Sequence, residues 1–458
     1  MGVPPLPRRQ PVRPHRQSVR RPVRSACLAL SLTVAGWLPQ PAPAELPALP
    51  EPLTLEHALS LADDPHPDLL AAAADRDVAR AERDLAASAT GLNASVNAQA
   101  KWIEPSEFAF DQSHNDSQAH LRVRKRLYDF GHTRASVAAA EALLDSRQLR
   151  YADARQQRRL DILERYLDVL LADLEFRVQD EAMAIAFVRL DRIRDQHELR
   201  QVSDVELLDS ETRYEETRSA RYRAQARQRT ARVRLAEALH RPGQLSNTLA
   251  EPDLGRIAVE PPPLEDLVGE VLQANPRIQA LRAEAESARE RLQAARAADR
   301  PVLLGAAEAS EYARKTGSTD PWSIGLELEV PLYTGGRSGA ERARARALLR
   351  RTEADIAAAE LELRQDVQAL WEEINILRAG RDEARTRVEF RELFLDRSRA
   401  LYEMEAETNL GDAMVFSTEA RLREAQLDYQ LLLNWARLDL LRGRTVAVLD
   451  GEPEGKTE

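Results

Sequence analysis

Leu127-Tyr128-Asp129-Phe130-Gly131-His132-Thr133-Arg134-Ala135 and Leu332-Tyr333-Thr334-Gly335-Gly336-Arg337-Ser338-Gly339-Ala340 are two versions of one junction. In each, a run that alternates apolar and polar residues ends at Leu-Tyr and meets a glycine able to adopt positive φ. It then passes into a long Ala/Arg/Glu/Leu run of helical character. Gly131 in the first copy, and Gly335 with Gly336 in the second, therefore mark strand-to-helix turns. The copies are offset by 205 residues, and the same shift carries Gly131 onto Gly336, Asp161 onto Asp366 and Tyr166 onto Trp371. A constant offset over several positions indicates an internal duplication.

The composition agrees with a chain built mainly from long helices. Of 458 residues, 43% are hydrophobic, 31% charged and only 5% aromatic, a profile closer to coiled coils than to a compact α/β enzyme. The net charge of -10 comes with no sustained basic stripe, which excludes a nucleic-acid surface. Basic residues alternate with acids along the helical runs, as on solvated helix faces. The single cysteine, Cys27, excludes an intrachain disulfide and a cysteine-based metal cluster.

Cys27 lies in a leader. Residues 1–24 carry seven arginines and no acid, residues 25–38 form a short apolar core, and Ala42-Pro43-Ala44 offers small residues for cleavage before Glu45. Residues 1–44 read as a secretory signal peptide. Beyond them no run of 18 apolar residues occurs, so any membrane contact must come from β-strands or from the surface.

The rest of the chain reads as two repeats. The first, 45–240, opens at the N-cap candidate Thr54 with a helix of about ten residues, breaks at Asp64-Pro65-His66-Pro67 and resumes as a helix to Ser88. Strands follow at about 92–103 and 117–128, then long helices at about 133–200 and 203–240. Leu160, Leu163, Leu167, Leu170 and Leu174 repeat at coiled-coil spacing. A proline-rich linker, 241–263, leads to the second repeat, 264–443, with strands at about 302–313 and 321–332 and helices at about 337–405 and 410–442. Residues 444–458 read as a disordered tail. In the second strand Arg122, Arg124 and Arg126 share one face, and in the fourth Glu327 and Glu329 do the same. Three arginines on a strand are costly in a dry core, whereas a wet interior removes that cost.

The order of short helix, Pro-containing break, helix, strand, loop, strand ending in Leu-Tyr and glycine, long helix, break and long helix, twice over behind a leader, resembles the TolC family of outer-membrane efflux proteins. The resemblance covers nearly the whole mature chain. It implies an α+β, mainly α fold, in which a duplicated helix-strand-strand-long helical hairpin unit builds a homotrimer. Its 12-stranded transmembrane β-barrel is continued by a periplasmic α-helical barrel. It implies a passive exit duct in the outer membrane, in contact with outer-membrane lipid, a periplasmic membrane-fusion adaptor and an inner-membrane pump of RND or ABC type, in efflux or type I secretion. It also implies a gate at the periplasmic hairpin tips, for which Asp204, Glu206, Asp209, Glu405, Glu407 and Asp412 are the candidates. Met414 and Ser417 stand where the family usually carries aspartates. The arginines and glutamates of the strands would line the barrel lumen. Independently of the resemblance, four strands cannot close a barrel alone, so a membrane role requires oligomerisation.

No catalytic constellation is present. The histidines lack metal-ligand spacing, and Gly335-Gly336-Arg337-Ser338-Gly339 lacks the Gly-Lys-Ser/Thr ending of a phosphate loop. The expectation is a non-enzymatic protein without cofactor or metal and without a nucleic-acid partner. The competing reading is a periplasmic coiled-coil adaptor or scaffold without a barrel, disfavoured by the duplicated strands.

Overall fold

The computed structural model describes residues 49–314, 320–404 and 409–446. The expected leader, Glu405, Glu407 and the tail beyond 446 lie outside them. Helices α1 (Leu55–Ser60) and α2 (Pro67–Ser88) precede strands β1 (Leu92–Gln99) and β2 (Gln118–Tyr128) and helices α3 (His132–Glu198) and α4 (Asp204–Ala238). The second set is α5 (Leu264–Ala274), α6 (Pro276–Ala297), β3 (Val302–Tyr312), β4 (Trp322–Glu329), α7 (Arg337–Glu403) and α8 (Leu410–Leu441). Both β1 and β4 stop short of the expected spans. The first helix is six residues long, not about ten, because residues 61–63 tighten into a 3-10 turn before the Pro65 break.

The two 67-residue helices, α3 and α7, each run roughly 100 Å at 1.5 Å per residue. Shorter helices stack end to end beside them. Against α3, α2 is held by Arg76 over the Tyr151 ring and by the ion pair from Arg155 to Asp63 in the turn before α2. Further along α3, α4 is held by Asp173–Arg232 and Arg194–Glu211. Between α3 and α7 sit α6, through Arg150–Glu284 and Arg277–Glu362, and α8, through Arg189–Asp412 and Arg381–Asp428. The columns therefore run α2/α4, α3, α6/α8, α7. They match the sheet order β1-β2-β3-β4, each strand continuing one column.

The buried core lies where the columns meet the belt of short segments. Leu163, Leu167, Leu170, Val367, Ile374, Leu377, Leu431 and Leu438 pack with Leu53, Ile257 and Leu267. Burial of each such side chain contributes about 1.5–3 kcal/mol. The region read as a linker is part of this core. Leu249 pairs with Leu53 in an isolated parallel bridge, and residues 255–258 form a 3-10 turn with Ile257 fully buried. The expected disorder from residue 444 is likewise corrected for 444–446, since Arg444 pairs with Glu270 and Val446 is buried. Proline-rich sequence suggested a spacer, but Ile257 buries itself completely and Leu245, Leu249 and Leu254 pack partly buried against the core.

The duplicated aromatic fastens belt to column in both repeats. The Tyr166 hydroxyl lies 2.8 Å from the Leu53 carbonyl oxygen and 2.5 Å from that of Ala250, and the Trp371 indole donates to the Pro262 carbonyl at 3.0 Å. Burial pushes the Tyr166 phenol up to about 12, so it remains a donor throughout the physiological range. Tyr166→Phe removes this buried donor and is expected to cost about 1–2 kcal/mol. The check is a lowered denaturation midpoint of the detergent-solubilised protein with conductance unchanged.

Candidate functional site

Two places concentrate polar chemistry: one face of the sheet and the ends of the helical hairpins. The register settles the sheet. In antiparallel ladders paired residues point to the same side. Ser95 pairs with Arg122, Arg122 with Glu308 and Glu308 with Ser323, which places Asn93, Asn97, His120, Arg124, Ser310, Glu327 and Glu329 on one polar face. The opposite face carries Leu92, Val96, Leu121, Val123, Ala307, Ile324, Leu326 and Leu328. Ile324 is 78% and Leu326 72% exposed, so among the described residues nothing covers this apolar face.

Of the five strand residues singled out in the sequence, Arg122, Arg124, Glu327 and Glu329 form one row on the polar face, but the arginines and glutamates do not pair with each other. β3 lies between the arginines and the glutamates. Arg122 bonds instead to Glu308 at 3.0 Å, and the same carboxylate takes His120 Nδ1 at 3.0 Å, with Ser310 2.9 Å from that nitrogen. Glu308 escaped the sequence reading because its strand, rich in Ala and Leu on both faces, alternates weakly. The alternation of Glu308, Ser310 and Tyr312 was the available signal.

Arg126 leaves the row. The register shifts between Arg126 and Tyr128, and Arg126 donates to Asp129 at 3.4 Å and to the Thr133 hydroxyl at 3.2 Å. Gly131 takes φ +95°, and Gly335 and Gly336 take +63° and +83°, left-handed values that side chains disfavour. Gly131 and Gly336 supply no side-chain cap. Asp129 does so for α3, accepting from the amides of Gly131 and Thr133 at 3.3 and 2.9 Å and from the Thr133 hydroxyl. Burial pushes the Asp129 carboxyl up, but these hydrogen bonds and Arg126 outweigh it and hold the group below the usual carboxylate range.

At the other end, the described acids have distinct jobs. Glu206 closes a capping box with Ser203: it accepts from the Ser203 amide at 2.7 Å, while the Ser203 hydroxyl accepts from the Glu206 amide at 3.3 Å. Hydrogen bonds from the Ser203 amide, and then from its hydroxyl at 3.0 Å, lower the Glu206 carboxyl. Asp204 meets His197 at 2.7 Å across the turn, and Asp209 pairs with Arg213 one turn along its own helix. Asp412 is different. Arg189 of α3 donates to both of its oxygens at 2.8 Å, linking the α3/α4 hairpin to the α7/α8 hairpin.

Beside this link Gly411 lets α8 approach α3 closely, since a Cβ there would lie 2.8 Å from Ile185 Cγ2. Thr418 donates to Glu181 at 2.5 Å further along the same seam. Nothing in the sequence marked Arg189 among the many arginines of α3. Where α3, α7 and α8 converge nearer the belt, a groove of about 790 Å³ carries Glu164, Asp168, Asp366, Glu373 and Arg437 above a leucine floor. Burial, with the neighbouring Glu164 charge, raises the Asp168 carboxyl.

Among the described residues no helix is long and apolar enough to cross a membrane, and no cluster of three His, Cys, Asp or Glu is arranged to hold a metal. A family model described as outer membrane efflux protein matches residues 58–240 and 267–444. Among solved structures, the chain is similar to the outer membrane protein VceC of Vibrio cholerae, at 17% identity and TM-score 0.66 over 86% of this chain and 97% of that one. The CmeC outer membrane channel of Campylobacter jejuni gives 14% identity and TM-score 0.70 over 87% of each chain. The open-state MtrE outer membrane channel of Neisseria gonorrhoeae gives 18% and 0.60 over 86% and 89%. No curated protein matches.

Proposed function

The chain belongs to the outer membrane efflux protein family, and from that premise we propose that three copies close into a passive duct through the outer membrane, with a helical extension in the periplasm. The observation that carries this reading is the two-faced sheet with open edges. Among the described residues β1 and β4 each leave one edge unpaired, and an unpaired backbone group in lipid costs several kcal/mol. Pairing β4 of one copy with β1 of the next satisfies both edges and yields 12 strands from three chains. The apolar face then meets lipid and the row containing Arg122, Arg124, Glu308, Glu327 and Glu329 lines a wet lumen.

The outer columns support the same closure. Leu70, Val78 and Leu85 on α2 and Val233 on α4 are exposed at one edge, and Leu361, Ile376, Phe390 and Leu393 on α7 are exposed at the other. Apolar side chains on both edges suit a helix-to-helix contact between copies. At the hairpin ends, exposed Leu199, Val205 and Leu208 offer apolar contacts to a periplasmic adaptor, which would connect the duct to an inner-membrane pump supplying the energy. In this reading Asp412 with Arg189 forms the gate contact, Asp204 and Asp209 contribute charge near it, and Glu206 shapes the turn. The chain acts without catalysis and without a cofactor.

The test pairs gel mobility of unboiled and boiled protein from outer-membrane fractions with planar-bilayer conductance. A heat-modifiable trimer giving discrete conductance steps is the expected result. A protein confined to the soluble periplasm, without conductance, would leave the coiled-coil scaffold as the better account.

A further inference from the structure

We propose that the joint where α4 meets α2 is a proton-sensitive seam, with His66 as a titratable helix cap that the duplicated joint lacks. The two joints share one backbone plan. In the first, His66 precedes Pro67 and caps α2, its Nδ1 accepting from the Asp68 amide at 3.4 Å. In the second, Asn275 precedes Pro276 and caps α6, its Oδ1 accepting from the Arg277 and Ile278 amides at 3.0 and 3.2 Å.

The helices that end there match as well. α4 closes with His240 at φ +54° and the Arg241 amide on the Ala236 carbonyl. α8 closes with Gly443 at φ +69° and the Arg444 amide on the Asp439 carbonyl. Asparagine and glycine are the usual occupants of these two positions and neither titrates. The first joint has a histidine at both, and the rings meet edge to face, their centroids 6.1 Å apart. A left-handed histidine is strained where glycine would not be, so the backbone does not call for this pair.

The surroundings favour the neutral His66 ring. Only a neutral imidazole has a lone pair on Nδ1, so protonation turns the cap acceptor into a donor facing the Asp68 amide and adds charge at the positive end of α2. From α3, the 7%-exposed Arg158 faces the site, with its Nε on the Ala62 carbonyl and its Nη2 without a hydrogen-bond partner among the described residues. Beyond α4, the 3%-exposed Arg241 is bonded to Asp64, while Arg155 and Arg159 engage Asp63. The acids able to favour a charged ring are Asp161 on α3 and the largely exposed Asp68, 3.4 Å from Nδ1. Burial first, then Arg158, holds His66 below the usual histidine value despite them. The cap is therefore fully present above the ordinary histidine pKa of about 6.5 and is lost as pH falls through the lowered value.

Hydrogen–deuterium exchange on the full chain in detergent tests this, with protection corrected for the intrinsic pH dependence. Between about pH 7.5 and about pH 5, protection of residues 67–71 and 239–242 is expected to fall about fivefold, the size of one lost helix N-cap, while residues 276–280 stay unchanged. His66→Asn installs the cap of the second joint and is expected to abolish the drop. Unchanged wild-type protection overturns the proposal. So does a drop that persists in His66→Asn, including one that His240→Gly alone removes.

Discussion

Arg189→Ala is expected to raise the open time of the reconstituted channel about tenfold. The Arg189–Asp412 pair is 46% and 42% exposed at its side chains, so each copy contributes about 0.5 kcal/mol once solvent screening is allowed for. Threefold repetition brings the closed-state bias to about 1.5 kcal/mol, close to a factor of ten in population. Asp412→Ala is expected to match it, and the double variant to add little to either, because both single changes remove the same bond. Asp204→Ala is expected to do far less, since its partner His197 lies across the turn of the same hairpin. Single-channel recording decides the matter: open times that stay at wild-type values in both single variants would end the case for this contact as a gate.

Leu326→Arg is the second large effect, and it acts on assembly. Leu326 sits midway along β4 on the apolar face, opposite Gly305 and flanked by Ile324 and Leu328. An arginine near the middle of the lipid-facing band costs about 2–4 kcal/mol per copy, hence about 6–12 kcal/mol for three. Heat-modifiable trimer should disappear from outer-membrane fractions. Ser95→Arg, one strand from Arg122 on the polar face, should assemble normally and change only conductance. If both variants assemble equally well, the assignment of the two faces fails.

The hairpin ends show where sequence reading stops. Glu206 carries the sequence mark of a capping box, three residues after Ser203, and the fold uses it so. Asp412 stood among six acids of equal standing, because what distinguishes it is Arg189, 223 residues earlier. Glu308 is a comparable case, 186 residues from Arg122 on a strand with little alternation. The region 241–263 misled in the other direction: its prolines signal a spacer, yet Ile257 is completely buried.

The sequence by itself determined the fold class, the duplication and the character of each long segment. Periods of 2 and 3.6, glycines at the two junctions and prolines at the two breaks are local signals, legible within about ten residues. Only the tertiary structure decided that α2/α4 and α6/α8 stack as columns, that Arg122 meets Glu308 and Arg189 meets Asp412, and that His66 lies against His240. Those pairings depend on which column stands beside which and at what height. With 65 basic and 75 acidic residues, local patterning leaves many partners equally plausible, and the packing of the long helices selects among them.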